Sequence, residues 1–180
     1  MKTSITKILA AAAMSVATFS APLAAVAQES ENRVAANTDW YVFEEAAPQK
    51  QCWSASPPKE SVNTDQNGRV KAVRRGAVLL MVTYMPSSGI NGQVSFIGGY
   101  PFKGGSTVTL EISGSKFELF TEGETAWPAT VADDTKIITA MKRGATAVLS
   151  GGSARGTRTK DTFSLLGFTA SLAEASKRCP

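Results

Sequence analysis

Short apolar runs separated by turn signals dominate the chain from Trp40 onward. The runs recur every eight to twelve residues, a spacing typical of short strands in an antiparallel β fold. The strictest alternation of apolar and polar residues spans residues 107–112 and resumes at 116–119, after the turn residues 113–115. These two segments predict a β-hairpin with one side in the core and the other in water.

Further segments extend this pattern. Five more strands are predicted, at residues 40–43, 52–56, 70–73, 78–82 and 94–97. Two segments have helical spacing instead: one begins near Asp133 and Asp134, which could cap it, and the other runs from about 169 to 177. Many short strands, two short helices and no alternation of strands with helices predict an antiparallel β-sandwich.

The first 27 residues have the pattern of a secretory signal peptide. Lys2 and Lys7 precede an apolar stretch, and Ala25-Val26-Ala27 matches the small-x-small cleavage signal. An N-terminal membrane helix is the alternative, but polar residues and a proline interrupt the apolar stretch. We therefore predict a signal peptide at 1–27, a flexible lead-in at 28–37 and a single β-sandwich domain at 38–180, with no transmembrane span once the signal is removed.

Charge argues against a nucleic-acid partner. The whole chain has 19 Lys and Arg and 15 Asp and Glu, a formal net charge of +4. Two of the lysines lie in the predicted signal peptide, which has no acidic residue, so the mature chain carries only about +2. This excess is far below the concentrated basic patch of a nucleic-acid-binding protein.

The chain has two cysteines, Cys52 and Cys179. In an exported protein two cysteines are expected to pair, and the disulfide would link the C-terminus to an early strand. Closing a loop of this length contributes roughly 4–5 kcal/mol in the chain-entropy model. A CxxC redox or metal site is the alternative, which the spacing and the absence of histidine exclude.

Residue types restrict the possible chemistry. Without histidine, Ser-His-Asp and Cys-His catalysis are impossible. The Ser113–Lys116 stretch is better explained as a hairpin turn than as a Ser-Lys nucleophile, and the paired carboxylates fit loops and a helix cap. The glycine pairs lack the spacing of phosphate-binding loops. We predict no catalytic residue, no metal ligand and no cofactor, and a protein that is not an enzyme.

The stretch 153–170 combines three basic residues with threonines and then becomes apolar. With a period of two, Thr157, Thr159, Asp161, Phe163 and Leu165 share one face, and the residues between them form a solvated face. Charge on that face protects an edge strand against unwanted pairing. A binding strip for an anionic surface is the alternative. The candidate interaction surface comprises Arg155, Arg158, Lys160, Tyr100 and Trp127.

Several short motifs occur in a distinctive order. They are Cys-Trp-x-x-Ser-x-Pro at 52–58, Arg-Gly at 75–76, Gly-Tyr-Pro-Phe at 99–102, Ala-Trp-Pro at 126–128, Ala-Met-Lys-Arg-Gly at 140–144, and Arg-Gly-Thr-x-Thr-x-Asp-Thr-Phe-Ser-Leu-x-Gly-Phe at 155–168, followed by a final cysteine. Together they resemble the invasion-associated locus B family of secreted proteins of Gram-negative bacteria, over about residues 40–179.

The resemblance implies an immunoglobulin-like β-sandwich in the periplasm, at the outer membrane or outside the cell. The family name comes from members associated with entry into host cells, which implies a virulence role for some of them. No catalytic or ligand residue transfers by position. We therefore expect a non-enzymatic envelope protein that binds an unknown protein or envelope component. The alternative is a small-molecule carrier or hydrolase that uses a cleft at one end of the sandwich.

Overall fold

Antiparallel strands make up most of the structure. A computed structural model of the protein describes residues 32–180, in which eleven strands form one sheet in the order β1-β2-β3-β5-β6-β9-β8-β7-β10-β11-β4. The strands are β1 Arg33–Asn37, β2 Trp40–Glu45, β3 Gln51–Ser56, β4 Glu60–Thr64, β5 Leu79–Met85, β6 Ile90–Ile97, β7 Thr107–Ile112, β8 Ser115–Glu122, β9 Thr125–Trp127, β10 Thr146–Gly152 and β11 Arg158–Ser164. The helices are α1 Val131–Arg143 and α2 Phe168–Arg178.

The sheet curls so that its two halves face each other across the core. Phe96 of β6 and Phe163 of β11 lie five places apart in the strand order, yet their ring centroids are 6.1 Å apart in an edge-to-face contact. Trp40 of β2 donates a hydrogen bond from Nε1 to the carbonyl of Ser164 in β11, at 2.9 Å. The two halves therefore enclose one apolar interior.

The predicted mainly antiparallel β fold with two short helices is confirmed. Its strands hydrogen-bond into one continuous sheet, so the division into two sheets of an immunoglobulin-like sandwich stays a prediction. The predicted hairpin is β7–β8, in which Val108 lies opposite Leu119 and both are fully buried. Helix α1 begins at Val131 and is capped by Thr130, which lies three residues before Asp133 and four before Asp134, the residues predicted to cap it.

The predicted flexible lead-in at 28–37 is wrong for its second half. Residues Arg33–Asn37 form β1, which pairs with β2 at the end of the sheet. Its sequence, RVAAN, has no alternation of apolar and polar residues, and an edge strand needs little buried apolar surface because only one of its edges is paired, so the pattern did not reveal it. The predicted signal peptide at 1–27 lies outside the described residues, and the single domain at 38–180 stays a prediction.

The predicted disulfide between Cys52 and Cys179 is present, with the two Cα atoms 5.8 Å apart. It joins β3 to the residue that follows α2. The same helix is held by Phe168, whose ring lies 4.8 Å from that of Trp40, and by a buried hydrogen bond of 2.6 Å between the hydroxyls of Ser54 and Ser171. These contacts fix α2 over the inner side of the sheet.

Asp134 connects α1 to the sheet. One of its carboxylate oxygens accepts a 2.8 Å hydrogen bond from the backbone N–H of Val94 in β6, and the residue is buried. Burial raises the pKa of Asp134 above its ordinary value, despite the opposing effect of that hydrogen bond. The fold therefore disfavours the charged carboxylate while using one of its oxygens as an acceptor.

Two substitutions at Asp134 should separate these effects. Asp134→Ala leaves the Val94 N–H without its acceptor and should lower the free energy of unfolding by about 1–3 kcal/mol. Asp134→Asn keeps an acceptor oxygen without a charge, so at pH 7 it should be at least as stable as the wild type. Urea denaturation of both variants checks this.

The pH dependence has a definite sign. Because the folded pKa is raised, the contribution of Asp134 to stability is fully present below its unfolded pKa, near 3.8, and is lost as pH rises through the folded value. The stability of Asp134→Asn relative to wild type should thus increase from pH 4 to pH 7. A relative stability that decreased over this range would contradict the assignment.

Candidate functional site

A buried ion pair lies where three segments of the chain meet. Arg75 comes from the irregular connection between β4 and β5, and Asp161 comes from the core side of β11. The guanidinium contacts both carboxylate oxygens, Nη1 to Oδ1 at 2.8 Å and Nη2 to Oδ2 at 2.7 Å. The Arg75 side chain is 7% exposed and that of Asp161 is 0% exposed. Such bidentate pairing is the strongest geometry between these groups.

The remaining hydrogen bonds of the pair are also made. Arg75 donates from Nε and Nη2 to the carbonyl of Gly98, at 3.0 and 2.7 Å, and from Nη1 to the side chain of Asn63 at 3.4 Å. Asp161 accepts a further hydrogen bond of 2.6 Å from Ser61 Oγ. A buried ion pair is tolerated only when its hydrogen-bonding capacity is satisfied in this way. The pair therefore serves as an anchor for the surrounding segments.

Gly99 allows these segments to approach each other. Its φ angle is +71°, and a Cβ there would lie 2.7 Å from the carbonyl oxygen of Gly76 and 2.9 Å from that of Ala77. The backbone N–H of Gly76 also donates to the Gly99 carbonyl at 2.8 Å. The Arg-Gly motif at 75–76 and the glycine of the motif at 99–102 thus belong to one backbone junction.

Tyr100 lies beside this junction. Its hydroxyl shares a 2.6 Å hydrogen bond with the hydroxyl of Thr159 in β11. Its ring lies beneath the Arg75 guanidinium, 5.0 Å from centroid to carbon, and packs edge-to-face on Phe102 at 4.9 Å. Burial raises the pKa of Tyr100, so the phenol stays protonated at neutral pH. Tyr100 is therefore a rigid, neutral wall.

An open cleft of about 460 Å³ is built around this wall. Lys71 and Arg74 line it from the β4–β5 connection, Glu124 from the β8–β9 turn, and Arg155 from the β10–β11 turn. Within residues 32–180, none of the three lining cations Lys71, Arg74 and Arg155 makes an ion pair with a carboxylate. The pKa of Asp65 is lowered mainly by the backbone N–H of Arg69, and Lys71 lies close enough to help lower it, but Asp65 forms its ion pair with Arg69. The cleft therefore presents more positive charge than its one lining carboxylate, Glu124, can balance.

The five residues of the predicted interaction surface do not lie together. Tyr100 and Arg155 line the cleft. Arg158 and Lys160 are exposed and alternate along β11 with the buried Thr159, so they project from the opposite face. Trp127 is half-buried in β9, opposite Phe120, and three strands separate β9 from β11. Only the first two residues remain candidates for one site.

The face assignment of β11 is confirmed, but its prediction as an edge strand is wrong, because β10 and β4 pair with it on either side. The residues predicted to share its inner side are all buried; they are Thr157, Thr159, Asp161, Phe163 and Leu165. Sequence reasoning missed that Asp161 pairs with Arg75. The sequence did contain an indication of this pair, because an acidic residue at a core-facing position of a strand requires a cationic partner. The chain separation of 86 residues left that partner unidentified.

The cleft offers little catalytic chemistry. Its lining includes one carboxylate, Glu124, whereas the buried carboxylate with a raised pKa, Asp134, belongs to α1 and lies outside the cleft. The lining hydroxyl of Ser153 accepts a 3.0 Å hydrogen bond from the backbone N–H of Thr157, and no histidine exists in the chain to activate it. Neither helix in the described part of the chain is long and apolar enough to cross a bilayer.

Comparisons with known proteins agree with the motif pattern. A family model described as "Invasion associated locus B (IalB) protein" matches residues 40–176. No curated protein matches the sequence significantly. The crystal structure of invasion associated protein B from Bartonella henselae is similar, with a TM-score of 0.53 and 13% identity over 79% of this chain and 95% of that chain. At that identity the structural likeness shows the fold alone.

We expect Gly99→Ala to disrupt the junction at the base of the cleft. An alanine there is strained by the positive φ and would also meet two backbone carbonyls, so the variant should lose about 2 kcal/mol or more of unfolding free energy. Gly104→Ala is the matched control, because a Cβ at that nearby loop position has nothing within 4 Å. Chemical denaturation compares the two. Equal stability of both variants would show that the close approach is not needed.

Proposed function

Because the chain belongs to the invasion-associated locus B family, whose model matches residues 40–176, we propose that it is an exported, non-enzymatic protein of the cell envelope. In this proposal it binds another protein or an envelope component. The binding site is the cleft lined by Tyr100 and Arg155.

Export is supported by two independent features. The first is the signal-peptide pattern of residues 1–27, with its small residues at 25–27. The second is the disulfide between Cys52 and Cys179, which forms and persists outside the reducing cytoplasm. The mature protein then begins at Gln28 and carries the intact disulfide.

The observation that carries the binding role is the concave, cationic and rigid character of the cleft. Three cations face it without a carboxylate partner among residues 32–180, and the saturated Arg75–Asp161 pair holds its base. A concave site with a fixed base is suited to recognition because the base needs no reordering when the partner arrives. A partner at the host-cell surface would be one case of this role.

A small-molecule carrier is the second candidate. The cleft volume of about 460 Å³ falls within the range of small-molecule sites. Hydrolysis is less well supported, because the lining has no activated nucleophile: Ser153 accepts from the Thr157 backbone and Tyr100 remains a protonated phenol. Carrier and protein-binding roles would use the same cleft and are distinguished by what it captures.

Site-specific photocrosslinking in intact cells tests the proposal. The full chain, with its predicted signal peptide, is expressed with benzoylphenylalanine at position 154 in one strain and at position 158 in another. Both positions are exposed, but only Ala154 lines the cleft, and replacing it removes no charge. Irradiation should give a discrete adduct from position 154 and none from position 158, and N-terminal sequencing of the product should begin at Gln28.

Two results would count against the proposal. Equal adducts from both positions would show that the contact is not specific to the cleft. An unprocessed chain recovered in the cytoplasm would refute export. Mass spectrometry of the adduct then separates a protein partner from a small ligand or an envelope lipid.

A further inference from the structure

The unpaired charge in the cleft points to the chemistry of its ligand. Resting on the binding role proposed above, we propose that the cleft is a site for a phosphate monoester, held by Lys71, Arg74 and Arg155.

Arg75 is excluded as a ligand-binding group. A guanidinium has five N–H donors, and Arg75 makes five hydrogen bonds, two to Gly98, two to Asp161 and one to Asn63. Its charge is neutralised by Asp161, which is itself buried. Any anion in the cleft must therefore be bound by the other three cations.

The charged side chains that line the cleft, without the neutralised Arg75, carry a net charge of +2. The lining contains Lys71, Arg74 and Arg155 besides the neutralised Arg75, and one carboxylate, that of Glu124. A phosphate monoester carries a charge of about −1.5 to −2 at neutral pH, which matches this excess. A carboxylate or a phosphodiester, with a single negative charge, would compensate only half of it.

The cations reach the cleft from two separate segments of the chain. Lys71 and Arg74 belong to the β4–β5 connection, whereas Arg155 belongs to the β10–β11 turn. A concave wall concentrates the field of such charges. Isolated surface cations are commonly only solvated; their convergence on one cleft distinguishes these three.

The base of the cleft suits the organic part of such a ligand. Tyr100 and Pro101 line it, and the Tyr100 ring is fixed by Thr159, Arg75 and Phe102. A sugar phosphate or a phosphorylated lipid headgroup would place its phosphate among the cations and its carbon skeleton against this wall. In both ligands the cleft would recognise the same group, a phosphate monoester.

Calorimetric titration of the purified mature protein with three related sugars tests the proposal. Glucose 6-phosphate, glucuronate and glucose differ mainly in charge. We expect saturable binding of the phosphate, binding of glucuronate weaker by about tenfold, because one charge-assisted interaction is lost, and no measurable binding of glucose. Glucuronate binding as tightly as the phosphate would overturn the proposal, as would no saturable binding of any phosphate monoester.

Three arginine-to-alanine variants compare positions in the cleft with a control position on the opposite face of β11. Arg155→Ala and Arg74→Ala should each weaken phosphate binding by about tenfold or more. Arg158→Ala removes the same charge from a residue on the opposite face and should change the affinity by less than about twofold, since exposed charges there are screened by salt. All three positions are exposed, so unfolding should be unaffected. Equal losses from Arg155→Ala and Arg158→Ala would refute the site.

Vesicles distinguish a lipid headgroup from a soluble ester. Phosphatidylcholine vesicles containing phosphatidic acid present a phosphate monoester, whereas those with phosphatidylglycerol present a singly charged diester. Binding that requires phosphatidic acid and Arg155 would assign the site to a headgroup; glucose 6-phosphate binding without vesicle binding would assign it to a soluble ester. A crosslink at position 154 together with no phosphate binding would refute this inference and leave the proposed function standing.

Discussion

The carboxylate of Asp161 projects from the core side of β11 and has no exposed surface. A buried charge in that position is tolerated only with a counter-charge and a full set of hydrogen bonds. Arg75 supplies the charge, and Ser61, Gly98 and Asn63 complete the hydrogen bonds. Because Arg75 belongs to the irregular β4–β5 connection, satisfying Asp161 also fixes that connection against the sheet.

The position of the cleft follows from this constraint. Arg74 immediately precedes Arg75, so the ion pair holds its part of the connection. Lys71 is held by β4, because its backbone N–H donates to the Asn63 carbonyl at 2.8 Å and the preceding Val70 forms a bridge with Thr64. Tyr100 follows Gly98 and Gly99, which contact Arg75 and Gly76 directly. The disulfide stabilises a different region, because neither Cys52 nor Cys179 lines the cleft. Covalent and electrostatic constraints thus act on separate parts of the fold.

Much of the local structure could be predicted from the sequence, because a period of two reports which side of a strand is buried. The β7–β8 hairpin and the two faces of β11 follow from this pattern alone. Long-range features could not be predicted in the same way. Nothing in the local pattern places β3 beside β5 rather than β4, or Arg75 beside Asp161, because these contacts depend on the crossing of the chain between the two halves of the sheet.

For the candidate site, too, the local sequence pattern does not predict which residues the fold brings together. Tyr100 and Trp127 are candidates because they lie in loop-like segments of the sequence, and Arg155 because it lies close to Arg158 and Lys160. The fold brings only Tyr100 and Arg155 to one cleft. Lys71 and Arg74 carried no signal, since a charged residue in a loop is usually solvated. Their significance appears only when the ion pair has positioned the connection.

A double-mutant cycle at the ion pair tests this account most directly. Arg75→Met and Asp161→Leu, measured singly by urea denaturation, should each cost about 3–5 kcal/mol, because each leaves a buried charge unpaired. The double variant should cost much less than the combined single losses, with a coupling energy of at least about 2 kcal/mol. Single losses that add to within about 0.5 kcal/mol would show that the two residues act independently and would contradict the account.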